Sequence, residues 1–272
     1  DGSTAWQMLQ TPGMPSLIVL DWMMPGMDGL DICRRIRKRG TQPPEYVILL
    51  TSMDRKQDIV AGLESGANDY ITKPFDNDEL RARLQVGQRV LELQTELVAA
   101  KKAFEFQATH DALTGLLNRR AILERLEREM SRCRRQESEL SIMLLDIDHF
   151  KDVNDNYGHA VGDEVLREFS QRLRTVLRDY DSIGRYGGEE FLIVLPDICA
   201  IRNEETFERI RYSIGSEAFR TTAGALSVTT SAGATCSDGK STVDGLIHEA
   251  DSALYRAKNA GRNRVVFAER HP

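Results

Sequence analysis

The sequence predicts an α/β unit built on a doubly wound parallel sheet, then a long helix, then an α+β unit with a central sheet flanked by helices. Three observations carry this. Over the first 78 residues, short apolar runs alternate with helix-period segments, the pattern of a parallel sheet with helices on its faces. From Asn77 to Gly115 the only Gly or Pro is Gly87, and apolar residues recur there at heptad spacing. Beyond Gly115, apolar strands and helices of unequal length deliver several carboxylates to strand ends and turns.

The 272 residues have room for about two domains of roughly 100–200 residues each. With 41% hydrophobic and 29% charged residues the chain reads as soluble and globular. A net charge of −6 argues against nucleic acid as a partner. No apolar run approaches the ~20 residues of a membrane span, and no signal peptide is apparent, so a cytoplasmic setting without membrane contact is expected. The first residue is Asp1 rather than Met, so the chain reads as a piece of something longer.

In the first segment Thr4 to Leu9 reads as a helix, and Leu17-Ile18-Val19-Leu20 as a buried strand ending in Asp21. Asp28 to Arg39 has helical periodicity. Tyr46 to Leu50 is a second buried strand followed by Thr51-Ser52, Asp54 to Gly66 a short helix, and Tyr70 to Thr72 a third strand stopped by Lys73-Pro74. Sites in such sheets form at the carboxyl ends of the strands. Asp21, Thr51 and Lys73 each sit at one, so a carboxylate, a hydroxyl and an ammonium are expected to converge.

The set Leu20-Asp21, Met24-Pro25-Gly26-Met27-Asp28-Gly29, Thr51-Ser52 and Lys73-Pro74-Phe75 resembles the receiver domain of response regulators, a flavodoxin-like fold. The resemblance implies Asp21 as phosphoacceptor, Thr51 and Lys73 as phosphate contacts, Tyr70 as the switch aromatic and a histidine kinase as partner. Receivers carry two strands and an Mg²⁺-binding acidic pair ahead of this point, and the sequence begins after them. The expectation is a truncated receiver over residues 1–78. The Leu17–Leu20 strand becomes a sheet edge, and Asp21 of the chain as given is poorly phosphorylated.

Residues 79–108 read as one helical linker. Val86, Val90, Leu93, Leu97, Ala100 and Phe104 follow a 4-3-4-3-4 spacing, a short coiled-coil seam that pairs with a second copy. A homodimer or higher homo-oligomer is the expected state.

Residues 109–272 form the third segment. Asp111 to Arg120 is a turn leading into the helix Ala121–Arg135. The strand Leu140–Leu145 delivers Asp146-Ile147-Asp148-His149-Phe150-Lys151. Asn154, His159 and Asp163 follow, then a helix Glu164–Arg178. Arg185 to Leu195 reads as strand, turn and strand, with Gly187-Gly188-Glu189-Glu190 in the turn. Leu226–Ala234 is another strand, and Leu246–Ala260 a final helix carrying Lys258 just before Arg262. Two glycines let a backbone approach a phosphate closely. Asp146 and Glu189 can share a hard cation through oxygen. Asn154 and Asp163 complement the Watson–Crick edge of guanine. Lys151, Lys258 and Arg262 supply charge for a triphosphate. Together these residues suggest metal-assisted nucleotidyl or phosphoryl transfer.

This third segment resembles the GGDEF family of diguanylate cyclases in its GGEEF variant, with a nucleotide-cyclase or palm-like fold. The resemblance implies that two copies each hold one GTP and condense them into cyclic di-GMP and two pyrophosphates. It implies Mg²⁺ (or Mn²⁺) held by Asp146, the Ile147 carbonyl and Glu189, with Glu189 the proton acceptor and Glu190 beside the metal. Asn154, His159 and Asp163 would contact the nucleotide, Gly187 and Gly188 would admit its phosphates, and Lys151, Lys258 and Arg262 would stabilise phosphate charge. Arg178-Asp179-Tyr180-Asp181 matches the family's RxxD inhibitory site. There Arg178 and Asp181 would bind product, with Arg209 a secondary contact.

Other features read more plainly. Cys33, Cys133, Cys199 and Cys236 have no paired spacing and are expected as reduced thiols. His110, His149, His248 and His271 lack metal-ligand spacing. Two rival functions remain open to test: a catalytically silent GGDEF module acting as a cyclic di-GMP receptor, and a DNA-binding response regulator. The acidic total and the absence of a helix-turn-helix pair weigh against the second.

Overall fold

The computed structural model describes residues 1–11, 13–52, 56–237 and 239–269, with backbone alone for 56–59. The expected helix start at Asp54 and the assignment of His271 lie outside the described residues. The chain divides into two compact units, Asp1–Glu105 and Phe106–Pro272.

The first unit contains α1 (Gly2–Met8), β1 (Leu17–Asp21), α2 (Gly29–Arg39), β2 (Tyr46–Thr51), α3 (Lys56–Glu64), β3 (Asp69–Thr72) and most of α4 (Asn77–Thr109). Its sheet is parallel in the order β1-β2-β3, with β1 at an edge among the described residues. Asp28 caps α2 by accepting from the Asp31 N–H at 2.7 Å, and Gly40 ends it at φ +66°. Such a left-handed terminus favours glycine. Ile32, Cys33, Ile36, Val47 and Leu49 pack together on one side of the sheet, while Tyr46, Ile48 and Ile71 meet Leu84, Val90 and Leu91 of α4. Where α4 crosses, a Cβ at Gly87 would fall 2.8 Å from both Leu17 and Tyr46 carbons, so the lone glycine of this helix is a contact point.

α4 is one helix of 33 residues. Its seam divides: Val90 is half-buried against its own sheet, whereas Leu93, Leu97 and Phe104 are 57%, 70% and 73% exposed.

The second unit adds α5 (Arg119–Gln136), β4 (Leu140–Ile147), α6 (Phe150–Tyr157), α7 (His159–Val176), β5 (Ser182–Arg185), β6 (Glu190–Pro196), α8 (Glu204–Gly215), β7 (Phe219–Thr221), β8 (Gly224–Leu226), β9 (Thr230–Cys236), α9 (Val243–Asn259) and β10 (Val265–Phe267). Five strands form one sheet in the order β10-β9-β4-β6-β5. Central β4 is antiparallel to both neighbours and wholly buried. Side chains alternate across a strand. Met143, Leu145 and Ile147 therefore join Phe169, Phe191 and Phe207 on one face, and Ile142 and Leu144 join Ile122, Leu126 and Leu254 of α5 and α9 on the other. Asp146 shares that second parity.

Three expectations change here. The helix foreseen from Glu164 begins at His159, after a separate helix α6 that the sequence reading did not separate; Gly158 at φ +84° divides them. The strand expected over Leu226–Ala234 is two elements, because β7 and β8 pair as a hairpin ending at Leu226 before β9 starts at Thr230. Cys199 and Cys236 are not free thiols: they are joined as a disulfide with Cα atoms 5.5 Å apart. Their separation of 37 residues gave no local signal, and the short 3-10 turn Ala200–Arg202 after β6 brings them together at the end of β9. Cys33 and Cys133 are free and buried, and burial pushes the Cys33 thiol up to about 11. Among the described residues no helix is long and apolar enough to cross a membrane.

Candidate active site

β4 carries Asp146 to the end of the central strand, opposite Glu190 of β6 and Ser231 of β9. α9 brings the counter-charge. It lies against β9 so closely that a Cβ at Gly233 would fall 2.0 Å from the Ala250 carbonyl oxygen, and Ala250, Ala253 and Ala257 line its buried face. Lys258, at the end of that helix, sets its Nζ 2.8 Å from Asp146 Oδ2.

The Gly187-Gly188-Glu189-Glu190 turn closes over the same strand end. Glu190 O accepts from the Tyr186 and Gly187 N–H groups at 2.8 and 3.2 Å, and the Ile147 N–H donates to Glu189 O at 3.3 Å. A Cβ at Gly187 would meet Glu190 Oε2 at 2.5 Å, so glycine there makes room for the carboxylate. Burial pushes the carboxyls of Asp146, Glu189 and Glu190 upward. The Asp146 charge pushes the two glutamates further, and Lys258 opposes the shift in all three. A half-buried acidic group of this kind, short of cationic charge, fits a hard divalent ion. No cluster of three His, Cys, Asp or Glu side chains suited to a metal forms among the described residues. Mg²⁺ does not require one, since it takes one or two carboxylates and completes its shell with water and substrate phosphates.

α6 and α7 pack together beside this end of β4. Asn154 projects from α6 onto the first turns of α7, where a Cβ at Gly162 would lie only 2.0 Å from its Oδ1. Asn154 thereby lies against α7 one residue before Asp163, and both are half-buried. His159 is exposed at the start of α7, and Lys151 is exposed on α6. Lys151 makes no hydrogen bond or ion pair among the described residues. Arg262 is exposed, and its charge acts to lower the Asp146 carboxyl.

Two residues outside the foreseen set support the turn. Arg185 donates through Nε and Nη2 to Gly188 O at 3.1 and 2.7 Å, and through Nη1 to both Asp111 oxygens at 3.2 Å. Burial alone would raise the Asp111 carboxyl, but the Thr114 hydroxyl and N–H and the Arg185 guanidinium outweigh it and hold it below its ordinary value. The only sequence signal was an Arg two residues before the glycine pair and a lone Asp 74 positions earlier.

Residues 108–264 match the family described as diguanylate cyclase, GGDEF domain, and residues 1–85 match the response regulator receiver domain. The chain belongs to the GGDEF diguanylate cyclase family. It is 34% identical over 258 residues to the response regulator PleD of Caulobacter vibrioides, covering 93% of this chain and 57% of PleD. It is 42% identical over 212 residues to the diguanylate cyclase DgcP of Pseudomonas aeruginosa, covering 76% of this chain and 32% of DgcP. The chain thus spans about half the length of PleD and a third of DgcP. Among solved structures, the coiled coil and GGDEF domain of DgcB from Caulobacter crescentus in complex with c-di-GMP matches at TM-score 0.62 and 31% identity. That match covers 70% of this chain and 99% of the solved coiled-coil and GGDEF chain.

In this GGDEF domain the RxxD segment follows α7 as a tight turn. Asp181 Oδ2 accepts from the Arg178 N–H at 2.9 Å, and Asp181 N–H returns to Arg178 O at 3.0 Å. Asp181 Oδ1 is buried without a hydrogen-bond partner among the described residues, and burial pushes this carboxyl up. Asp181 borders a cleft of about 430 Å³ shared with Arg125, Arg128 and Arg174. Arg209 stands exposed on α8, with no hydrogen bond or ion pair to Arg178 or Asp181 among the described residues.

In the receiver unit, Lys73 Nζ lies 2.5 Å from Asp21 Oδ2. Thr51 is buried at the end of β2, and its carbonyl accepts from the Lys73 N–H at 2.6 Å. Tyr70 is half-buried on β3, against the core that holds Leu20 and Trp22.

Proposed function

We propose that this chain condenses two GTP molecules into cyclic di-GMP and two pyrophosphates, with two protomers each presenting one GTP. The observation that carries the reading is the meeting of Asp146, Glu189, Glu190 and Lys258 at one strand end, beside the helix pair bearing Asn154 and Asp163. Asp146, the Ile147 carbonyl and Glu189 would hold Mg²⁺ (or Mn²⁺), which supplies charge neutralisation at the phosphates. Asn154 and Asp163 hold the guanine edge, and a half-buried carboxylate there disfavours bases that cannot pair with it. His159 meets the nucleotide at the start of α7. Gly187 and Gly188 admit phosphate oxygens, and Lys151, Lys258 and Arg262 bind them.

In each half-reaction a ribose 3′-oxygen forms a bond to the partner nucleotide's α-phosphorus as pyrophosphate leaves. Glu189 is the acceptor of the hydroxyl proton. Because each GTP needs an attacker from another copy, self-association through the exposed Leu93, Leu97 and Phe104 face of α4 is part of the mechanism.

Product inhibition is assigned to Arg178 and Asp181, with Arg209 as a secondary contact; the position of Asp181 at the border of the arginine-lined cleft supports the assignment. In the receiver unit, Asp21 would take phosphate from a histidine kinase, with Thr51, Lys73 and Tyr70 responding. The setting is the bacterial cytoplasm. Incubating the chain with GTP and Mg²⁺ and separating the nucleotides tests the reading: cyclic di-GMP and pyrophosphate are expected in a 1:2 ratio by the stoichiometry above. Binding of cyclic di-GMP without turnover would instead identify a silent receptor.

A further inference from the structure

Asp148 lies two residues beyond Asp146 and has no role in the reaction just described. Its side chain is 5% exposed and has no ion pair among the described residues. Ser231 Oγ donates to Oδ1 at 2.7 Å, while Thr229 Oγ1 and the Asn263 backbone N–H donate to Oδ2 at 2.7 and 3.1 Å. A carboxylate buried without a cationic partner is costly unless donors surround it. Three neutral donors from two distant segments do so here.

One of those segments is the turn after α9. Gly261, Arg262 and Asn263 have φ of +105°, +58° and +46°. Such angles suit glycine and are tolerated by asparagine, but they are unfavourable for Arg262 and persist there only where the surroundings over-determine them. Asn263 is held from two sides, its N–H by Asp148 and its Oδ1 by Arg211 Nη1 at 2.6 Å. The Arg262 N–H returns to Ala257 O at 3.1 Å. The other segment is the start of β9, where Thr229 and Ser231 flank Thr230, whose hydroxyl donates to the Asp146 carbonyl at 2.8 Å. One carboxylate therefore ties the metal-ligand strand end to the arginine turn.

We propose that Asp148 is a positioning residue that locks the Arg262–Asn263 turn in its left-handed form and so aims Arg262 at the nucleotide phosphates. The proposal rests on the GTP reading of this site.

The test compares wild type, Asp148→Ala, Asp148→Asn, Arg262→Ala and the double variant Asp148→Ala/Arg262→Ala. Two quantities are measured: calorimetric affinity for α,β-methylene-GTP with Mg²⁺, and hydrogen exchange of the Asn263 amide without nucleotide. Asp148→Ala is expected to weaken binding about tenfold and to speed Asn263 exchange by about tenfold or more. Asp148→Asn keeps an oxygen for Asn263 and Thr229 and turns its amide to the Ser231 hydroxyl, so it restores most of both. On the Arg262→Ala background, Asp148→Ala should cost no further affinity. Losses that multiply in the double variant, or unchanged Asn263 exchange in Asp148→Ala, would overturn the proposal. If Asp148→Ala does not fold, Asp148→Ser, too short to reach Asn263, carries the same comparison. If wild type itself does not bind the analogue, the GTP reading fails, and unchanged exchange alone then overturns the turn-locking claim while faster exchange upholds it.

Discussion

A Cβ built on Gly162 falls 2.0 Å from Asn154 Oδ1, 3.1 Å from Asn154 Cγ and 3.3 Å from Phe150 Cζ. Gly162→Ala therefore forces the Asn154 amide aside, because a real Cβ contact does not close below 3.0 Å. The fold has little to lose. Gly162 lies within α7 and is not at positive φ, and alanine is favoured over glycine inside a helix by roughly 0.5–1 kcal/mol. That gain offsets the cost of moving one polar side chain. The site loses more. A neutral hydrogen bond is worth about 0.5–1.5 kcal/mol, and an amide swung off the guanine edge forfeits one or two. The expected loss is about 1–2 kcal/mol, or ~5- to 30-fold in GTP affinity, while the melting temperature stays within about 4 °C of wild type. Titration calorimetry with α,β-methylene-GTP and thermal unfolding by fluorescence measure the two quantities on one sample. Wild-type affinity in Gly162→Ala would refute the placement of Asn154 on guanine. A large fall in melting temperature with unchanged affinity would show that Gly162 serves packing alone.

Burial lifts the carboxyls of Asp146, Glu189 and Glu190. A raised acid pKa means the charged form is disfavoured in the fold, so the penalty is full above the raised values and disappears as pH falls through them. Mg²⁺ binds the charged form, so its stabilising effect should be larger at about pH 7.5 than at about pH 4.5; equal shifts in melting temperature at both would contradict this. Arg178→Ala should raise the cyclic di-GMP concentration for half-inhibition by about tenfold through loss of a charged contact, and an unchanged inhibition curve would remove Arg178 from the site. Leu97→Glu puts a charge on the exposed seam of α4 and should shift sedimentation toward monomer; an unchanged profile would mean the copies pair elsewhere.

The local pattern carried much of the fold. Fully buried strands such as β4 read directly as apolar runs, and α2 and α5 read as helical periodicity, while their caps at Asp28 and Asn118 come from the structure. The long helix was legible because glycine and proline are almost missing from it, and Val90 departed from the seam because the adjacent sheet took it. Most of what escaped was non-local. The division of α6 from α7 turns on Gly158 at φ +84°, an angle that glycine permits but does not announce. The Cys199–Cys236 pair, the Arg185–Asp111 support and the Asp148–Asn263 bond join residues 37, 74 and 115 positions apart, which no window of sequence spans. Asp146 and Glu189 were legible as candidates because carboxylates at a strand end and in a glycine turn violate the expectation of an apolar core edge. Gly162 was not, because its role is the absence of a side chain beside Asn154.

The central claim is that this acidic strand end turns over GTP when two copies meet. Its most direct measurement is the specific rate of pyrophosphate and cyclic di-GMP formation from GTP and Mg²⁺ across a range of chain concentrations, with Glu189→Gln alongside. The account predicts a rate per chain that climbs with concentration as dimers form, and no product from Glu189→Gln. A wild-type chain that binds GTP yet forms no cyclic di-GMP at any concentration, or a Glu189→Gln variant that turns over normally, would contradict it.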